Sequence, residues 1–141
     1  MLRHSHCDLI AKVLRKRRFA VAGASRSPDE CSHRVVVALR DAGYEVYPVN
    51  PNADEIAGLA VYPSLDCLPV TPDCVVSCTP PLVTERLARD AARGGMGIMW
   101  MQPGSGSTAA LNTARSWGIE VVQGGPCIMV VLATRRRWGV P

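Results

Sequence analysis

Aromatic residues are scarce in this chain, with one Phe, three Tyr and three Trp among 141 residues. Single-stranded nucleic acid is bound by stacking bases on aromatic rings set in basic grooves, and this composition offers little of that chemistry. The net charge of +4 does not restore the case. Much of the excess sits at Arg15-Lys16-Arg17-Arg18 and Arg135-Arg136-Arg137, on a body that is nearly balanced between them. No reading-head motif accompanies the charge, so a nucleic-acid partner is not expected. Long apolar runs are also missing. None approaches the ~20 residues that cross a bilayer, and no apolar core or cleavage site follows the first basic cluster, so neither a membrane span nor a secretory signal is expected. The six cysteines (Cys7, Cys31, Cys67, Cys74, Cys78 and Cys127) contain no C-x-x-C pair. Cys67, Cys74 and Cys78 lie in or beside apolar segments, where a free thiol behaves as a small hydrophobe. A reduced, cytoplasmic location is the expectation.

Against these absences stands the stretch from Phe19 to Ser32. Phe19-Ala20-Val21-Ala22-Gly23-Ala24-Ser25 reads as a buried strand entering a glycine turn, and a polar loop leads from it to the apolar helical run 35–39. A strand, a tight turn and a helix N-terminus together offer unpaired N–H groups to a phosphate. Bulk at Gly23 is expected to block that approach while leaving the fold intact.

Strands and helices alternate through the rest of the chain. The periodicity predicts helices over Asp8–Arg17, His33–Ala42, Leu82–Arg93 and Thr108–Trp117. Strands are expected at Phe19–Ala22, Glu45–Val49, Cys74–Cys78, Gly97–Met101 and Ile119–Val122, with a short extended piece at Ala60–Tyr62. Pro48 is expected to make the end of the second strand irregular. This alternation implies one α/β domain over residues 1–141, with a parallel sheet and a basic tail from about residue 134. Ligands of such sheets lie at the carboxyl ends of the strands. Those ends carry Gly23-Ala24-Ser25, Asn50-Pro51-Asn52, Thr79-Pro80-Pro81 and Gln102-Pro103-Gly104, which are uncharged and stiffened by proline.

The nucleotide class follows from two further omissions. A dinucleotide fingerprint carries three glycines where this loop has one, and NAD binding expects an acidic residue at the end of the second strand. Val49-Asn50-Pro51 stands there instead, with neither the carboxylate of an NAD site nor the arginine of an NADP site. The order Val-Ala-Gly-Ala-Ser, then Gly43-Tyr44-Glu45-Val46-Tyr47-Pro48-Val49-Asn50-Pro51-Asn52, then Gly58 and Val61-Tyr62-Pro63-Ser64-Leu65, resembles the stand-alone coenzyme A-binding domain family. That family is similar to the nucleotide-binding N-terminal domain of the succinyl-CoA synthetase alpha subunit. The resemblance spans roughly Asp8 to Val131 and implies a Rossmann-like three-layer α/β/α fold with a mostly parallel, doubly wound sheet. It also implies coenzyme A, or an acyl-CoA, as the small-molecule ligand. By position, Gly23, Ala24, Ser25 and Arg26 would meet the phosphates, with Ser32 and Arg34 at the mouth of the next helix. Val49, Asn50 and Pro51 would flank the adenosine, and Cys78, Thr79, Pro80, Gln102 and Pro103 would line the following strand ends. Two places depart from the family: Cys78-Thr79-Pro80-Pro81 is closer to the synthetase subunit's own pattern, and Arg135-Arg136-Arg137-Trp138 falls outside the match.

Catalysis is not expected. A synthetase-type ligase needs an ATP-grasp unit and a phosphorylatable histidine. His4, His6 and His33 have no evident carboxylate partner, and the chain lacks the length for a second domain. His4, His6 and Cys7 are too crowded in sequence to suggest a metal site. Cys127, after Gly124-Gly125-Pro126, reads as a packed thiol that could instead pair with a bound thiol ligand. A non-catalytic CoA-binding module is therefore the expectation, with a homodimer or a protein partner left open. The alternatives are a small NAD(P)-binding or redox-linked protein, and an interaction subunit that has lost its nucleotide.

Overall fold

The computed structural model describes residues 2–141, with side chains from residue 6 onward. Helix α1 (Leu2–Leu14) leads into β1 (Arg18–Ala22), α2 (Cys31–Asp41) and β2 (Glu45–Val49). The chain then makes a small hairpin, β3 (Glu55–Ile56) and β4 (Leu59–Ala60), and a 3₁₀ turn at Leu65–Cys67. β5 (Cys74–Ser77), α3 (Pro81–Arg93), β6 (Ile98–Met101), α4 (Thr108–Ser116) and β7 (Glu120–Val122) follow. α5 (Ile128–Ala133) and a 3₁₀ turn at Arg135–Trp138 close the chain.

Five strands form one parallel sheet in the order β2-β1-β5-β6-β7. Alternation along each strand sorts its side chains between two cores. Phe19, Val21, Cys74, Val76, Ile98, Trp100 and Val122 face α1, α2 and α5. Ala20, Ala22, Val75, Met99, Met101 and Val121 face α3 and α4. Both faces are covered, so the inner strands carry apolar residues without interruption, as parallel sheets require. This is the parallel sheet that the alternation of elements implies, in the Rossmann-like, doubly wound α/β arrangement that the family resemblance implies.

Several boundaries differ from expectation. α1 covers Leu2–Leu14 and not Asp8–Arg17: it starts earlier than expected, and it ends earlier because the last turn tightens through Arg15 N–H to the Lys12 carbonyl and Lys16 N–H to the Val13 carbonyl. The irregularity expected from Pro48 is absent, and β2 stays in register through Val49. Its carbonyl accepts from Tyr62 N–H at 3.0 Å on the outer side, so the missing N–H also points away from β1. The basic tail is ordered: residues 135–138 turn back on the fold, Trp138 packs against the core, and Arg135 Nη1 donates to the Ala42 carbonyl. Among the described residues no helix is long and apolar enough to cross a membrane.

Candidate functional site at the carboxyl ends of the strands

Strand order reverses between β1 and β5, since the chain leaves β1 for the edge strand β2 and returns to β5 on the other side. Crevices in parallel sheets open at such a reversal. The register Ala22 opposite both Val49 and Ser77 brings the ends of β2, β1 and β5 level there.

The first loop is shaped by its neighbours. Gly23 has φ +80°, and a Cβ at this position would stand 2.8 Å from Thr79 Cγ2 and 3.1 Å from the Cys78 carbonyl oxygen. Its N–H is already engaged, donating to the Val49 carbonyl at 3.2 Å. The glycine therefore packs the β1 loop against the β5 loop, with its N–H turned to Val49 rather than left open for the phosphate expected there. Asn50 braces the other side: Nδ2 donates to the Ala24 carbonyl at 2.8 Å, while Oδ1 accepts from Asn52 N–H at 2.7 Å. Ser25 Oγ accepts from Ser27 N–H, and His33 Nδ1 donates to the Ser25 carbonyl at 2.8 Å, which fixes the proton of a neutral ring on that nitrogen. What remains is Ala24, Ser25 and Arg26, whose N–H groups meet no protein acceptor among the described residues. The expected anion contact thus narrows to three amides after the glycine.

Beside this loop lies a cleft of about 290 Å³, lined by residues 30–32 at the start of α2, 78–80 after β5 and 102–105 after β6. It unites six expected residues, Ser32, Cys78, Thr79, Pro80, Gln102 and Pro103. Arg34 does not join them: it is exposed, and its Nη2 donates to the Asp29 carbonyl at 3.2 Å. Gln102 is buried, donates through Nε2 to Cys127 Sγ at 3.2 Å, and accepts from Ile128 N–H at 2.8 Å. Burial pushes the Cys78 thiol up to about 12, so it is protonated at neutral pH.

Sequence reasoning missed the floor of the cleft. Ser105 Oγ donates to Ser77 Oγ at 3.0 Å, Thr84 Oγ1 lies 2.8 Å from Ser105 Oγ, and Thr79 Oγ1 lies 2.8 Å from Thr84 Oγ1. Ser77, Thr84 and Ser105 are buried. These hydroxyls tie the β5 loop to the β6 loop, and the available signal was a threonine on the buried stripe of α3. Hollows of about 400 Å³ near Asp90 and about 450 Å³ under Arg135–Arg137 lie away from the strand ends. His6 and Cys7 sit on α1, where the His6 ring approaches Gly125, and the His4 side chain lies outside the described residues.

Comparison with known proteins bears on the family and the fold. The family model described as a CoA binding domain matches residues 17–133. The uncharacterized protein YneT of Bacillus subtilis is 34% identical over 137 residues, covering 94% of this chain and 97% of that protein. An ADP-forming acetate–CoA ligase II of Archaeoglobus fulgidus is 36% identical over 88 residues, which is 60% of this chain but only 13% of the ligase. A hypothetical protein of Pyrococcus horikoshii superposes with a TM-score of 0.85 at 29% identity, covering 92% of this chain and 90% of its own.

Proposed function

The chain belongs to the family of CoA-binding domains, and we propose that it binds coenzyme A or an acyl-CoA across the ends of β2, β1, β5 and β6. One observation carries the reading. Three unpaired amides, at residues 24–26, adjoin a cleft whose one charged lining residue is Glu30, at the point where strand order reverses. Phosphates would lie on those amides, the adenosine against Val49–Pro51, and the pantetheine arm in the cleft. Gly23 and Asn50 hold the loops in shape, and Ser32, Cys78, Thr79, Pro80, Gln102 and Pro103 form the walls. Arg26 stands free at the mouth of the loop, with no hydrogen-bond or ion-pair partner among the described residues. The role proposed is that of a cytoplasmic binding module without catalysis of its own.

Calorimetric titration of the reduced protein with CoA, acetyl-CoA, NAD and NADP tests the reading. CoA or acetyl-CoA is expected to bind more tightly than either dinucleotide. Tighter binding of NAD overturns it, and no binding of any adenine nucleotide would favour an interaction subunit.

A further inference from the structure

Three of the six free thiols gather at one place. Cys31 opens α2 and Cys78 follows β5, and both line the 290 Å³ cleft. Cys127 reaches the same spot through Gln102, whose side chain lines the cleft and donates to its Sγ at 3.2 Å. Charge on Cys31 or Cys127 further disfavours ionisation of Cys78, as expected of thiols close in space. Access separates them: Cys31 is exposed, whereas Cys78 and Cys127 are half-buried.

We infer that the cleft is a thiol–disulfide exchange site in which Cys31 captures the thiol end of a CoA disulfide. The inference rests on the CoA reading above. A ligand with its phosphates on residues 24–26 sends its thiol arm over β5 and β6, where the three thiols stand. The loop and the cleft are continuous, since Gly23 packs directly on Cys78 and Thr79. In the exchange, the Cys31 thiolate attacks one sulfur of CoA–S–S–CoA. That S–S bond breaks, Cys31–S–S–CoA forms, and the second CoA leaves as a thiolate that takes up the proton given up by Cys31. The disulfide ligand is the only oxidant required. Cys78 remains a thiol at neutral pH and attacks the new bond poorly, so the mixed disulfide persists and does not collapse to a protein disulfide.

Intact-mass measurement with peptide mapping tests this on the full chain exposed to CoA disulfide, with oxidised glutathione as a disulfide lacking the nucleotide. Cys31 is expected to gain one CoA group, about tenfold or more faster than it gains glutathione, because bound phosphates position the reacting sulfur. Cys31→Ser should abolish the adduct, while Cys7→Ser and Cys67→Ser, exposed and outside the cleft lining, should keep both the adduct and reduced CoA binding. No adduct, equal rates for the two disulfides, or equal labelling of the exposed Cys7 and Cys67 overturns the inference. Calorimetry of the reduced protein separates the two failures. CoA bound without an adduct removes the exchange alone, and no CoA binding removes the reading beneath it.

Discussion

Arg26 and Arg34 both place a guanidinium near the first loop, but their surroundings divide them. Arg34 Nη2 is held by the Asp29 carbonyl, while Arg26 has no partner among the described residues. CoA carries a 3′-phosphate that dephospho-CoA lacks, so on the proposed reading a free arginine at the loop mouth is expected to discriminate between them. A charge-assisted contact to phosphate contributes about 1.5–3 kcal/mol. Arg26→Ala is therefore expected to weaken CoA about tenfold or more in calorimetry, leaving dephospho-CoA nearly unchanged. Equal losses for both would move the residue to the pyrophosphate, and no loss would return it to the solvated surface. Gly23 is a poorer probe than its place in the sequence suggests. A side chain there meets the β5 loop backbone and a left-handed φ, so a variant would lose fold and binding together. The glycine was legible in the sequence as a turn; its packing against Cys78 was not, because the two residues are joined only by the β1–β5 pairing.

At the scale of elements, the sequence was most legible where one periodicity dominates. β1, β5 and β6 carry the apolar runs Phe19–Ala22, Cys74–Val76 and Ile98–Met101, and α2 and α3 repeat their buried residues at helical spacing, so their ranges match expectation closely. Short elements escape such reading. The β3–β4 hairpin has two residues per strand and turns through Ala57 and Gly58, both at positive φ; Gly58 announces the turn and Ala57 hides it. α5 is harder still, for Ile128-Met129-Val130-Val131-Leu132 carries no helical alternation and six residues do not sustain a helix alone. Its start depends on a distant partner, the Gln102 Oε1 that accepts from Ile128 N–H. Gln102→Leu keeps the volume but leaves that amide unsatisfied. Chemical denaturation should show a loss of about 1–3 kcal/mol. An unchanged midpoint would mean that α5 is held by the packing of Ile128, Val131 and Leu132 alone.

Across the whole molecule, the two ends of the parallel sheet do different work. At the amino ends, Glu45 receives Arg17 Nε at 3.2 Å and Arg18 Nε at 3.0 Å, and Asp73 accepts the N–H groups of Arg17 and Arg18. Part of the basic cluster that hints at nucleic acid in the sequence is thus engaged in closing the fold. The hydrogen bond from Arg18, seconded by the Tyr47 hydroxyl, holds the Glu45 carboxyl below its ordinary value near 4.5. A carboxyl depressed on folding stabilises the protein above its unfolded value, and that contribution is lost as pH falls through the folded one. Because these groups are partly exposed, the effect is small. Glu45→Gln should lower the melting temperature slightly at neutral pH, and the gap from the parent should close in acid. CoA affinity should stay unchanged, because the carboxyl ends of the strands are untouched. The carboxyl ends should answer in the opposite way. Saturating CoA at a hundred times Kd adds about 2.7 kcal/mol of stability through binding alone. Arg26→Ala should lose much of that ligand-dependent gain while its ligand-free melting temperature holds. A Glu45→Gln variant that weakens CoA, or an Arg26→Ala variant that melts early without ligand, would show that the two ends are not independent.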